Sequence, residues 1–359
     1  MRREKIPEID FQRAISALAV ITIHVTAKYT GIHDFGKLQL SLAFIDNVVG
    51  FAVPSFVFIS GLVLYRNYNV LQGSVLTFYK KRFARVIPVY LLFSLFYILY
   101  SSTRNFTNFQ GISHISFGSV MFKLFTGGAC SHLWYFGILF QFYLLYPLLL
   151  KLYKKYELGF VVFCMLLQVC WSFLDSSFFK TIGSWFGNPT FHIPFAFTHI
   201  CWFVFGFYFF DHRSAFLHRI QIGWGLVIVL ILNVFKTLPL YCVQKHLAIE
   251  SIIPGFFYLN KLMLPIVFFV EILLTYKVSV LLLEKVNSLS RLLRAFGDYS
   301  LEIYLIHAYA IVCLVNAISY INIRSNQILF YPIVWLGTVL VSLGFAITYR
   351  WIKMLLKGK

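Results

Sequence analysis

A chain of 359 residues that is 60% hydrophobic, 19% aromatic and only 12% charged lies far from a soluble domain, which is nearer half apolar and a quarter charged. The composition excludes a soluble enzyme and predicts an all-α, polytopic integral membrane protein. A formal net charge of +18 would suit nucleic acid on a soluble chain, but on a membrane protein basic residues first report orientation, and no nucleic-acid partner is expected.

The six cysteines have neither CxxC spacing nor the density of a disulfide scaffold. Cys164, Cys170, Cys201 and Cys313 lie in apolar runs and read as packing residues, whereas Cys130 and Cys242 fall in predicted loops on one side, where pairing is open to them. No cleavable signal peptide is expected: Met1 to Lys5 is basic, but the apolar run that follows continues without a small-residue cleavage site.

A spanning helix needs about 20 predominantly apolar residues, and ten segments approach that, at about 11–29, 42–65, 86–101, 131–150, 158–174, 193–210, 222–240, 262–283, 299–318 and 328–349. With the N-terminus inside, 22 of the 31 lysines and arginines fall in inner segments and 9 in outer ones. That bias satisfies the positive-inside rule and predicts that both termini are cytoplasmic. The longest outer loops are 102–130 and 241–261, and Ile112 to Phe125 reads as an amphipathic helix lying in the interface.

The first span, FQRAISALAVITIHV from Phe11 to Val25, carries Arg13 and His24 through an apolar segment. Eleven residues apart, they lie about 20° from one another around the axis and about 16 Å apart along it. Ionisable groups inside a span usually face a cavity, a partner or a reaction centre. The plainer alternative has Arg13 snorkelling to the interface and His24 satisfied in the interior. About 20 Å in from the cytoplasmic side, a neutral His24 imidazole suits a general base.

The second span ends in PSFVFISGLVLY, where Ser60-Gly61 permits close helix approach. The inner loop after it reads FYKKRFARVIPVY from Phe78 to Tyr90. There Arg82 and Arg85, three apart, share a helical face beside Lys80 and Lys81. Two readings stand: anchoring on anionic headgroups, or recognition of the phosphates of a cytosolic ligand, for which arginine's fork is suited. The fourth span opens with TGGACSHLWYF. Trp134 and Tyr135 fit an aromatic belt, and His132 is either a surface histidine or a group facing an outer substrate. The ninth opens with GDYSLEIYLIH. Ser300, Tyr304 and His307 share one stripe there, while Glu302 faces away from Ser300. Glu302 is a functional suspect, with pairing to an arginine on another helix as the alternative. No metal-ligand spacing is present.

In order, Arg13 with ten residues to His24, FISG at Phe58 to Gly61, RFAR at Arg82 to Arg85 followed by Pro88, HLWYF at His132 and SLEIYLIH at Ser300 resemble the membrane-bound acyltransferase family 3. This is a group of bacterial polytopic O-acyltransferases that modify surface glycans. The resemblance covers roughly residues 8 to 350 and implies one acyltransferase-like transmembrane domain of about ten helices in the bacterial cytoplasmic membrane. It implies transfer of an acyl group, commonly acetyl, from cytosolic acyl-CoA to a hydroxyl of an extracytoplasmic or lipid-linked glycan. Acyl-CoA is then a co-substrate, not a bound cofactor. The implied partners are membrane lipid, the glycan acceptor and other membrane proteins of polysaccharide synthesis.

The histidine and arginine matching His24 and Arg13 belong to the family's essential motif, and those matching Arg82 and Arg85, here beside Lys81, meet the acyl donor. Glu302 or Tyr304 would orient His24 or support the oxyanion, and His132 and Trp134 stand on the acceptor side. Where many members have an aspartate before the FF-x-x-SG stretch, this chain has Pro54, and Asp46 is the nearest acid. The Ala-Val-Pro version resembles the subgroup that contains exopolysaccharide-modifying proteins. No extracytoplasmic SGNH hydrolase domain is expected, so the chain would act alone or with a separate partner. A transporter or flippase for a glycan, with Arg13 and His24 lining its path, is the rival from another class. A scaffold within a synthesis complex is a third.

Overall fold

The computed structural model describes residues 6–30, 37–68, 74–103, 115–185, 195–244, 249, 253, 255–285, 287–319 and 327–356. In chain order its helices are α1 (Pro7–Thr30), α2 (Lys37–Val49), α3 (Ala52–Tyr68), α4 (Val75–Ser102), α5 (Phe117–Thr126), α6 (Trp134–Tyr156), α7 (Leu158–Trp185), α8 (Ile200–Asp211), α9 (Arg213–Arg219), α10 (Ile222–Gln244), α11 (Phe256–Lys285), α12 (Asn287–Asp298), α13 (Ser300–Ser319) and α14 (Gln327–Leu356). No strand occurs among the described residues. Leu92, Leu148, Leu230 and Leu336 are all exposed on their helices, which in a polytopic protein is the surface offered to lipid. The protein is a polytopic membrane helical bundle.

The contacts divide it into two compact units, one of residues 1–59 and 212–359 and one of residues 60–211. In the first unit α1 is the central helix, packing on α2, α11, α12, α13 and α14. Ala14, Ala17, Ile21 and Val25 supply its share of a core completed by Phe296, Ile303, Ile311, Val334 and Val339. A buried polar knot also holds it, since backbone and side-chain polar groups inside a bundle must find partners there. The Gln12 amide donates to Ser55 at 2.9 Å and to Thr275 at 2.8 Å, and the Ser16 hydroxyl reaches Ser55 at 2.8 Å. Gly297 lets α12 lie directly on α1, because a Cβ there would overlap the backbone of Asp10.

In the second unit α6 packs on α4, α5, α7 and α8. Phe142 and Phe203 stack at 4.2 Å between ring centroids, and Gly61 sits so close to the Phe203 backbone that no side chain fits. Tyr65 and Tyr153 both donate to one carboxylate oxygen of Asp211 at 2.8 Å. The turn from α6 to α7 is a single residue, Glu157, held at φ 39°.

Several expectations are revised. Seven helices or helix pairs among the described residues are long and apolar enough to cross a membrane, fewer than the ten expected. The α1 helix falls outside that set, carrying Gln12, Arg13, Thr22, His24 and Thr26 in its span. The sixth expected span becomes a short turn, Ala196–Thr198, followed by the 12-residue α8, about 18 Å long against an apolar core of about 30 Å. The second expected span is broken at Gly50–Phe51 into α2 and α3. The expected inner loop from Phe78 to Tyr90 is the beginning of α4. Ser74 caps that helix by accepting from Leu76 N at 3.1 Å, and no helix breaker intervenes before Pro88. The helix expected within Ile112 to Phe125 is present as α5, N-capped by Ser116, with no buried residue; residues 112–114 lie outside the described ones. Cys130 and Cys242 are both thiols, and Cys242 lies within α10 rather than in a loop.

Candidate active site

His24 stands on α1, whose other sides are committed. Thr22 accepts from the Trp335 indole at 2.9 Å, and Thr26 meets the Tyr331 hydroxyl at 3.1 Å. Threonines at this spacing share one face, roughly a half-turn from His24. The half-buried His24 turns to α13, where its ring centroid lies 5.0 Å from that of His307, the planes tilted by 46°. His307 is fully buried. Its Nδ1 lies 2.6 Å from the carbonyl oxygen of Tyr304, and a carbonyl only accepts, so Nδ1 carries the proton. The Tyr304 ring lies 5.7 Å from His307 and 6.2 Å from Phe56. Arg13 sits eleven residues before His24 and pairs with the buried Asp10 at 3.2 Å.

Glu302 is buried on α13 and is engaged by Arg350 of α14. The arginine holds both carboxylate oxygens, at 2.7 and 2.8 Å, and also reaches the carbonyl of Asp298. Its guanidinium stacks 4.3 Å over the Tyr299 ring. This is the interhelical pairing to an arginine that was the alternative reading of Glu302. A carboxylate held by a bidentate fork serves the α13–α14 contact.

In the second unit, Lys80, Lys81, Arg82 and Arg85 occupy the first turns of α4. Arg82 is half-buried with its guanidinium 4.5 Å over the Tyr68 ring, while Lys81 and Arg85 are exposed. Arg82 and Arg85 both act electrostatically on Tyr143 of α6. Stacking on an aromatic face pre-orients the guanidinium while leaving its planar edge for a ligand. His132, just before α6, is only 1% exposed, with its ring 5.3 Å edge-on to Tyr97; the surface-histidine reading is set aside. Trp134 opens α6 half-buried, 5.6 Å from the His199 ring.

Two constellations escaped the sequence reading. His307 was placed on a stripe with Tyr304, but its partner on α1 was not legible. A second cluster joins α2, α10 and α11. Lys236 donates to the Asn47 carbonyl at 2.9 Å and to Asn233 at 3.1 Å, and Asn233 donates to the buried Glu271 at 2.7 Å. Asn47 in turn donates to Thr237 at 3.0 Å. The signal was there, since Lys236 and Glu271 are charged residues inside spans. Among the described residues, no group of three or more histidine, cysteine or acidic side chains is arranged to hold a metal ion.

A helical membrane bundle with a histidine held inside it fits a membrane-embedded transferase. The family comparison gives the class: the acyltransferase domain of acyltransferase family 3 matches residues 6–347. The chain belongs to that family and is an acyltransferase. No curated protein and no solved structure matches it significantly.

Proposed function

We propose that the protein transfers an acetyl group from cytosolic acetyl-CoA to a hydroxyl of a glycan, extracytoplasmic or lipid-linked, in the bacterial cytoplasmic membrane. His24 is the general base, and its place on α1 carries this reading: an imidazole on the central helix of the first unit, facing the buried ring of His307. As the sugar oxygen attacks the thioester carbonyl, His24 takes the hydroxyl proton. When the C–S bond breaks, the proton passes to the departing thiolate, leaving CoA as the thiol. Tyr304 shapes the wall beside His307, and Arg13, held by Asp10, anchors the helix that carries His24.

The phosphates of the donor are the natural ligands of Arg82 and Arg85, with Lys81 adding charge. Trp134, half-buried at the start of α6, is assigned to the acceptor side, where an aromatic face suits a sugar ring, with the buried His132 two residues before it. Membrane lipid surrounds the protein, and the acceptor is supplied by other membrane proteins of polysaccharide synthesis.

The deciding experiment is compositional. O-linked esters are released from the envelope by mild base in wild-type, deletion and His24→Ala strains of equal protein level. One ester disappears in both the deletion and the His24 variant, and its acid and glycan fraction name donor and acceptor. A wild-type ester pattern in the His24→Ala strain overturns the mechanism. An unchanged pattern in the deletion strain, with glycan lost from the surface, would instead mark a carrier.

A further inference from the structure

In the second unit the short turn Ala196–Thr198 leads through His199 into α8. The first amides of such elements have no partner within them, and here two glutamines from neighbouring helices take them. Gln141 of α6 accepts from Ala196 N at 2.9 Å, and the buried Gln168 of α7 accepts from Cys201 N at 3.1 Å. The backbone on both sides of His199 is thus secured without its imidazole. That ring stands instead beside two indoles, 5.6 Å from Trp134 and edge-on to Trp202 at 5.2 Å. We propose that His199 and Trp134 form a binding subsite for one sugar residue of the acceptor glycan. The Trp134 indole covers an apolar face of the sugar, and Nε2 of His199 accepts a hydrogen bond from one of its hydroxyls.

Three observations converge. The first is the tautomer. The Thr198 hydroxyl donates to the Phe195 carbonyl at 2.7 Å, so its oxygen is left to accept, and it lies 2.5 Å from His199 Nδ1. Nδ1 therefore carries the proton, and the acceptor of the neutral ring is Nε2. An accepting nitrogen suits a hydroxyl and disfavours the phosphates of the acyl donor. The second is exposure: Trp202 is buried and backs the pair, whereas His199 and Trp134 are half-buried and keep surface for a ligand. Aromatic walls with one fixed polar atom are how a site orients a small ligand. A pyranose, with C–H groups on its faces and hydroxyls at its rim, matches that lining. The third is place. The α6 helix carries Lys154 and Lys155 in its last turn and meets the basic start of α4 at Tyr143. Trp134 precedes Tyr143 by about 14 Å along the axis. The positive-inside rule turns the basic end to the cytoplasm, so the subsite lies toward the other face, where an extracytoplasmic acceptor arrives.

This rests on the reading of the acceptor as a glycan, so the test has one arm that needs no turnover. Full-length protein in lipid nanodiscs is titrated by calorimetry, without acetyl-CoA, with wild-type envelope glycan freed of its esters by mild base. Saturable binding is expected in the wild type. His199→Asn, whose amide can keep the Thr198 contact but has no atom at the place of Nε2, weakens it about tenfold. His199→Gln, whose amide oxygen reaches that place, stays within about threefold of the wild type. Trp134→Leu, which removes the aromatic face, weakens binding about tenfold. In turnover with the same glycan the losses appear in its KM, while KM for acetyl-CoA is unmoved.

Wild-type affinity in His199→Asn or in Trp134→Leu overturns the inference. So does a glutamine variant weaker than the asparagine one, the order that a merely structural contact with Thr198 gives. Losses accompanied by a raised KM for acetyl-CoA mark a packing role and overturn it too. Should His199→Asn fail to fold, the other two variants decide: weakened binding in Trp134→Leu with near-normal binding in His199→Gln supports the subsite, and any other pairing sinks it. A protein that binds glycan through His199 yet esterifies none defeats the glycan-acceptor reading and leaves the subsite standing. One that acetylates the glycan with wild-type KM in His199→Asn keeps that reading and loses the subsite.

Discussion

At the scale of residues, the bundle's interior is organised by polar side chains that would be costly in lipid and are therefore paired. Glu302 and Arg350 form the clearest case, a bidentate pair in which the carboxylate side chain is 11% exposed and the arginine 36%. Removing Arg350 leaves a buried carboxylate without its fork. Because the arginine is itself more than a third exposed, solvent screening discounts the loss, and Arg350→Ala is expected to cost about 1–2 kcal/mol. Arg350→Lys, which keeps the charge but cannot fork, should fall between the two. Thermal unfolding of the detergent-solubilised variants measures the order: wild type, then lysine, then alanine. An alanine variant as stable as the wild type would show that the pair contributes nothing to α13–α14 packing. The Lys236, Asn233 and Glu271 cluster follows the same rule, with a lysine, an amide and a carboxyl group meeting each other instead of hydrocarbon.

At the scale of elements, small residues decide how closely helices approach. Gly297 allows α12 to rest on the α1 backbone at Asp10, so Gly297→Ala forces the helices apart at an expected cost of about 1–3 kcal/mol. Gly344 of α14 has nothing within 4 Å of where a Cβ would stand, so Gly344→Ala should instead gain up to about 1 kcal/mol of helix propensity. Opposite shifts in the unfolding midpoint check both at once, and a destabilised Gly344→Ala would refute the packing account.

The α4 helix gathers four cations in its first turns. If Arg82 and Arg85 hold the donor's phosphates, replacing either by alanine raises KM for acetyl-CoA about ten- to a hundredfold, while the acceptor's KM is unmoved. Steady-state kinetics with each substrate varied in turn reads this out. An unchanged donor KM would return the cluster to the role of a lipid anchor. The sequence reading placed these arginines on one helical face correctly, but put them in a loop. The basic residues concealed that Ser74 starts the helix well before the apolar run begins.

At the scale of the whole molecule, the distribution of lysine and arginine predicts both termini on the cytoplasmic side. A fluorescent protein fused to the C-terminus should therefore fluoresce, while an alkaline phosphatase fused there should stay inactive. The reverse pair of results would require an odd number of crossings. What the sequence by itself determined is what depends on short stretches of chain: membrane character and most helix positions, while the side facing the cytoplasm is the prediction of its charge bias. The residues proposed to carry the chemistry, Arg13, His24, Arg82 and Arg85, were also legible as ionisable groups where charge is expensive.

What only the tertiary structure decided is who meets whom. His24 lies beside His307, Glu302 is taken by Arg350 across 48 residues, and Lys236 reaches Asn47 across 189. Helical periodicity says which side of a helix a residue faces, but not which other helix lies there. That choice is made by the packing of the whole bundle, where small residues permit contact and each buried polar group must find a partner.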